Sequence, residues 1–76
     1  MPSQKSAAVG AVGRAIRSLR EESGHSQEAF AATAGIDRSY YGAIERGEFN
    51  VTIDTLVKIA SALDLSASEL LQRAGL

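Results

Sequence analysis

The sequence predicts an all-α fold: a compact five-helix domain in which the second and third helices form a helix-turn-helix. Three observations carry this expectation. Helix-capping residues (Ser26, Asp37, Thr52 and Ser66) stand at the head of successive segments. Gly24, Gly35 and Gly47 stand at their ends, where the positive φ that glycine tolerates stops a helix at little cost. Between them, apolar residues recur at spacings of three and four. Seventy-six residues allow one domain with one small core.

Residues 1–5 (MPSQK) are polar, hold the only proline and are expected to form a flexible arm, leaving 6–76 as the domain. The first helix is expected over about 6–22, with Val9, Val12, Ile16, Leu19 and, less firmly placed, Ser23 on one stripe. Gly10 and Gly13 weaken its first half, and Arg14 and Arg17 project from the other side. His25 is expected to pack near Phe30. The second helix begins at Gln27 behind Ser26, with Phe30, Ala31 and Ala34 facing inward. After the turn at Gly35 and Ile36, Asp37 caps a third helix that runs to about Arg46.

On a wheel of about 100° per residue, Tyr41, Ile44 and Glu45 share the inward face of this third helix. The opposite face carries Ser39, Gly42, Ala43 and Arg46, with Arg38 and Tyr40 at its flank. A helix chosen only for solubility would be rich in Glu and Lys. Small residues, hydroxyls and arginines instead suit a surface that lies close against something, as the reading helix of a helix-turn-helix does in the DNA major groove. The plain alternative is an ordinary exposed face with Gly42 as a poor helix former. The fourth helix is expected behind Thr52, with Ile53, Leu56, Ile59, Ala60 and Leu63 as a continuous inward stripe. The fifth follows Asp64 and Leu65, with Ser66 and Glu69 spaced as a capping box.

SQEAFAATAGIDRSYYGAIERG at 26–47, flanked by VGRAIRSLREESGH and VTIDTLVKIASALDLSASELL, resembles the phage Cro/repressor-type helix-turn-helix family, also called the xenobiotic-response-element (XRE) family. The resemblance covers about 9–71 and rests on IR-x-LR, SQE-x-x-A, IERG and L-x-K-I-A-x-A-L in order. Within the family, the short length and RSYYGAIERGEFN are most similar to the small controller proteins of restriction-modification systems. The resemblance implies the phage-repressor DNA-binding fold and a homodimer on a palindromic operator. It implies base contacts from Arg38, Ser39, Tyr40 and Ala43, and phosphate contacts from Gln27, Arg46, Asn50 and Thr52. It also pairs Arg20 with Glu45 as a structural salt bridge. Glu48 departs from the pattern, since many family members carry a basic residue there.

Composition limits the other classes. No cysteine is present and His25 is the only histidine, so neither a disulfide nor a zinc site is expected, and no cofactor is implied. No paired catalytic carboxylates, nucleophile with a base or phosphate loop suggests an enzyme. No apolar run approaches the ~20 residues of a membrane span, and a cytoplasmic protein is expected. The net charge of −1 does not favour nucleic acid, but residues 1–47 carry six Lys or Arg against five acids, and 48–76 carry two against four. Leu65, Leu70, Leu71 and Leu76 suggest surplus apolar surface and a dimer interface; the simpler alternative is that they complete the monomer core. RNA polymerase would be a partner if the chain activates, through acids such as Glu28 or Glu48. The competing class is an antitoxin or other protein-binding module built on the same fold, which near-neutral charge would suit.

Overall fold

The computed structural model describes residues 6–76 as five helices with no strand among them. The expected arm at 1–5, with Lys5, lies outside the described residues. The helices are α1 (Ala7–Glu22), α2 (Gln27–Ala34), α3 (Arg38–Glu45), α4 (Ile53–Ala62) and α5 (Ala67–Arg73). All five are started by one device. The side-chain oxygens of Ser6, Ser26, Asp37, Thr52 and Ser66 each accept the backbone N–H three residues on, at 3.1–3.2 Å. That bond satisfies a donor the helix itself leaves unpaired. At Ser66 the capping box closes, because Glu69 Oε1 accepts from Ser66 N at 2.8 Å.

Packing runs in a closed circuit: α1 on α3, α3 on α2, α2 on α4, α4 on α5, and α5 back on α1. At its centre lie Ile16, Phe30, Tyr41, Ile44, Ile59 and Leu70, the first five from faces the helical spacing turned inward. Phe30 and Tyr41 stack obliquely with ring centroids 5.2 Å apart. His25 lies 6.3 Å from the Phe30 ring but stays solvent-exposed. Gly35, at φ +74°, turns the chain between α2 and α3 in the left-handed region where a side chain would be strained.

Three assignments made from the sequence change. Ile53, expected inward, is 76% exposed; the inward stripe of α4 is Leu56, Ile59 and Ala60, and Ile53 sits past its edge. Ser23 is exposed at the end of α1, its hydroxyl donating to Leu19 O. Leu70, expected at an intermolecular surface, is fully buried in the core of its own chain. Leu65 and Leu71 are half-buried against that core, and only Leu76 of the four leucines is exposed. Burying an aliphatic side chain stabilises by about 1.5–3 kcal/mol, so this small domain draws its last helix inward before any partner can use it.

The tightest approach is between α1 and α3. A Cβ placed on Gly13 would lie 2.4 Å from Ile44 O and 2.7 Å from Glu45 O, both backbone atoms that cannot step aside. On Gly10 it would meet only the Arg14 guanidinium end at 3.2 Å. Gly13→Ala is therefore expected to lower the unfolding free energy by about 2–3 kcal/mol through overpacking. Gly10→Ala should be neutral or raise it by up to about 1 kcal/mol through helix propensity. Urea denaturation of the two variants checks the contrast; equal effects would show that Gly13 holds no special contact.

Candidate nucleic-acid interface

The end of α3 is fixed from beneath by a buried carboxylate. Glu45 has 1% of its side chain exposed and accepts four hydrogen bonds from three other side chains. Arg20 on α1 donates from Nε to Oε2 at 2.6 Å and from Nη2 to Oε1 at 3.0 Å. Gln27, first residue of α2, donates from Nε2 to Oε1 at 2.9 Å. The Tyr41 hydroxyl, one turn earlier on α3, donates to Oε2. The third Arg20 nitrogen, Nη1, reaches His25 O at 2.9 Å and holds the loop between α1 and α2. Four lone-pair directions thus meet four donors. Among the described residues no buried side-chain polar atom lacks a partner.

Its three titratable members show this in their proton affinities. For Glu45, burial pushes the carboxyl pKa up, but hydrogen bonds from Arg20, then Tyr41 and Gln27, outweigh it and hold the value below its ordinary 4.5. The hydrogen bond to Glu45 raises Arg20, against its burial. Burial first, and then the bond to Glu45, push the Tyr41 phenol far above its ordinary 10.0.

Above this network lies the exposed start of α3. Arg38 and Ser39 are exposed on its first turn. Arg38 Nε stands 3.9 Å from Glu28 Oε2, a loose pair with both side chains mostly in solvent, which leaves the guanidinium able to turn elsewhere. Tyr40 is half-buried; its ring lies 6.4 Å from that of Phe49, and its hydroxyl is 3.5 Å from Asn50 O. Ala43 does not belong to this surface. It is 3% exposed, and its backbone carbonyl accepts Glu48 N at 2.9 Å where the chain closes the end of α3 at Gly47.

The residues expected to hold phosphates are also more engaged than the sequence suggested. Gln27 is half-buried and gives one amide N–H to Glu45. Arg46 forks onto Glu48, with Nε to Oε2 at 2.9 Å and Nη2 to Oε1 at 3.1 Å; that bond raises the arginine's pKa. The Thr52 hydroxyl is occupied as the cap of α4 and donates to Thr55 Oγ1 at 3.0 Å. Asn50 is exposed. Sequence reasoning missed the donors Tyr41 and Gln27. A carboxylate on an inward face needs more than one arginine, and a tyrosine four residues before it on the same helix was the available signal. Among the described residues no group of three or more His, Cys, Asp or Glu could hold a metal ion, and no helix is long and apolar enough to cross a membrane.

Five helices, a tight turn at Gly35 and a small-residue second helix with an exposed first turn define a helix-turn-helix domain. Residues 16–70 match the helix-turn-helix family HTH_3, and the chain belongs to it. It is similar to the control protein C.SmaI of Serratia marcescens, at 46% identity over 80% of this chain and 73% of that one. It is also similar to the control protein C.MunI of a Mycoplasma species, at 44% identity over 76% of this chain and 80% of that one. Among solved structures, the restriction-modification controller protein C.AhdI from Aeromonas hydrophila superposes with a TM-score of 0.81 at 43% identity, covering 86% of this chain and 98% of that one.

The network makes stability acid-sensitive in one direction. Glu45 has a lower pKa folded than unfolded, so its contribution is fully present above about pH 4.5 and is lost as pH falls through the lower folded value. Glu45→Gln should flatten that acid limb in denaturation curves taken from pH 7 to pH 2. Arg20→Ala, which strands a buried charge, is expected to lower stability by about 3–5 kcal/mol at pH 7. A loss below 1 kcal/mol would mean that the carboxylate is not held as described.

Proposed function

We propose that this chain is a sequence-specific double-stranded-DNA-binding transcription regulator of the controller type, acting as a homodimer on a palindromic operator. The observation that supports this best is the exposed first turn of α3. Arg38 and Ser39 stand exposed above a helix whose opposite face is locked to α1 and α2. Base reading needs this arrangement, because a side chain can discriminate only if its backbone is held in one place. Arg38 bonds guanine O6 and N7, a contact worth about 1–3 kcal/mol of discrimination. Ser39 reads beside it, and Tyr40 reaches a base or phosphate from its seat on Phe49.

Phosphates set the register. Asn50 and the free N–H groups at the start of α4 behind Thr52 supply such contacts on one flank. On the other, Gln27 uses its second amide hydrogen and Arg46 exchanges Glu48 for a phosphate. That exchange makes Arg46 a weaker source of affinity than a bare arginine, since its carboxylate must first be displaced. Regulation of the chain's own operon fits its likeness to controller proteins. Contact with RNA polymerase, where activation occurs, falls to acids on exposed loops and helix faces such as Glu28.

Selection of bound sites from a random duplex pool tests this. The expected result is a two-fold symmetric motif, blurred at one position per half-site by Arg38→Ala. Asn50→Ala should weaken all sequences alike, and Gln27→Ala should do so while also lowering the melting temperature through Glu45. Binding should weaken steeply with salt. Folded wild-type protein that enriches no sequence at low salt would sink the proposal and turn attention to a protein partner.

A further inference from the structure

We propose that Glu48 is an internal stand-in for a DNA phosphate, and that by holding Arg46 it sharpens discrimination between the operator and other duplex. This rests on the DNA-binding function proposed above and adds to it a specificity-determining residue that reads no base. The contact between the two is a side-on fork: Arg46 Nε donates to Glu48 Oε2 at 2.9 Å and Nη2 to Oε1 at 3.1 Å. That edge of a guanidinium matches two phosphate oxygens as readily as two carboxylate oxygens. The other end of the group is placed too. A Cβ on Gly42 would lie 3.2 Å from Arg46 Nη1 and 3.6 Å from Gln27 Oε1, so the guanidinium lies back along α3 beside Gln27. Two side chains expected to hold phosphate thus converge on one spot, with a carboxylate already in the phosphate's place.

Two features make Glu48 a filter and not a block. It cannot leave with its loop. Gly47 N donates to Ile44 O at 3.0 Å, Glu48 N donates to Ala43 O at 2.9 Å, and a Cβ on Gly47 would lie 3.1 Å from Gly10 Cα of α1. Yet the two side chains remain partly in water, 56% and 40% exposed, and such a pair is weak enough to be exchanged. Positioning then decides which anion wins. On the operator, base contacts from α3 hold the duplex in one pose and present one phosphate to Arg46 at a fixed place. On any other duplex no such pose persists, and a carboxylate tethered two residues away outcompetes phosphates that arrive in many orientations. Arg46 therefore adds its contact on the operator and withholds it elsewhere. Exchange proceeds on the operator only because the phosphate contact is stronger than the fork. The contact withheld from random duplex thus exceeds what the exchange costs on the operator.

Fluorescence anisotropy over a range of salt, with the selected operator and a random-sequence duplex of equal length, tests the proposal. Glu48→Gln keeps the side chain's shape, removes its charge and spares the backbone bonds around Gly47, so the thermal melt should not change. On random duplex its log–log salt slope should steepen by about 0.9 per copy, roughly three- to fourfold in affinity between 50 and 200 mM salt. On the operator the slope should stay, because Arg46 meets phosphate there in both proteins, and the ratio of operator to random affinity should fall. Glu22→Gln makes the same charge change at an exposed carboxylate with no ion pair among the described residues, and should leave that ratio alone. In an Arg46→Gln background, Glu48→Gln should move the ratio no more than Glu22→Gln does. Equal strengthening on both duplexes, weakening on the operator, or an effect that survives Arg46→Gln would overturn the assignment. A folded wild type that selects no operator fails the function proposed above. One that selects an operator, with Glu48→Gln indistinguishable from it, fails this inference alone.

Discussion

The Glu45 carboxylate is the constraint on which the arrangement of this domain depends. It is nearly inaccessible to water, and an isolated charge in that position would not be tolerated. Its solution is to collect donors from three helices. Arg20 comes from α1, Gln27 from α2 and Tyr41 from α3 itself, and Arg20 carries the connection on to the loop at His25. An apolar residue of similar size would pack against the same neighbours but would not fix their rotation. Hydrogen bonds of defined direction do fix it, and orientation is what a reading helix requires. The close contact at Gly13 complements this, because α1 can deliver Arg20 to Glu45 only if its backbone lies directly on the end of α3.

Much of the fold was legible because the signals that specify it are local. Ser26, Asp37, Thr52 and Ser66 announce helix starts through a bond that spans three residues, and no tertiary information is needed to place it. Gly35 and Gly47 announce the stops in the same way. Errors arose where a face had to be assigned at its boundary. Ile53 lies one helical step outside the α4 stripe, and a wheel cannot say where a core ends. Ala43 lies on the outer side of α3 by the same wheel, yet it is 3% exposed, and a wheel drawn for one helix cannot show which neighbours cover a residue. Leu70 is fully buried while the adjacent Leu71 is half-buried at the edge of the same core, a difference decided by α1 and α4 rather than by α5.

The site was legible in its chemistry and less so in its availability. Arg38 and Ser39 were assigned to base reading from their place at the head of α3, and they stand exposed there, as that role would require. Gln27, Arg46 and Thr52 were assigned by position, but each has a partner within the chain. A polar side chain near a surface satisfies itself locally when it can, and sequence does not show which neighbour it finds. These internal bonds belong to the chain without ligand, so any anion approaching the surface competes with them.

On the proposed function, burial of Ala43 also bounds how much one copy can know about its target. With the second turn of α3 closed off, reading falls to two or three side chains on a single turn, enough to distinguish only a handful of base pairs. So short a word recurs throughout any genome by chance. A single domain would be distributed over those chance occurrences, and an address becomes rare only when two such words must stand at one fixed separation. The economy of the reading surface thus shifts the burden of specificity from vocabulary to spacing. Rigidity between the two reading helices then matters as much as the residues they carry.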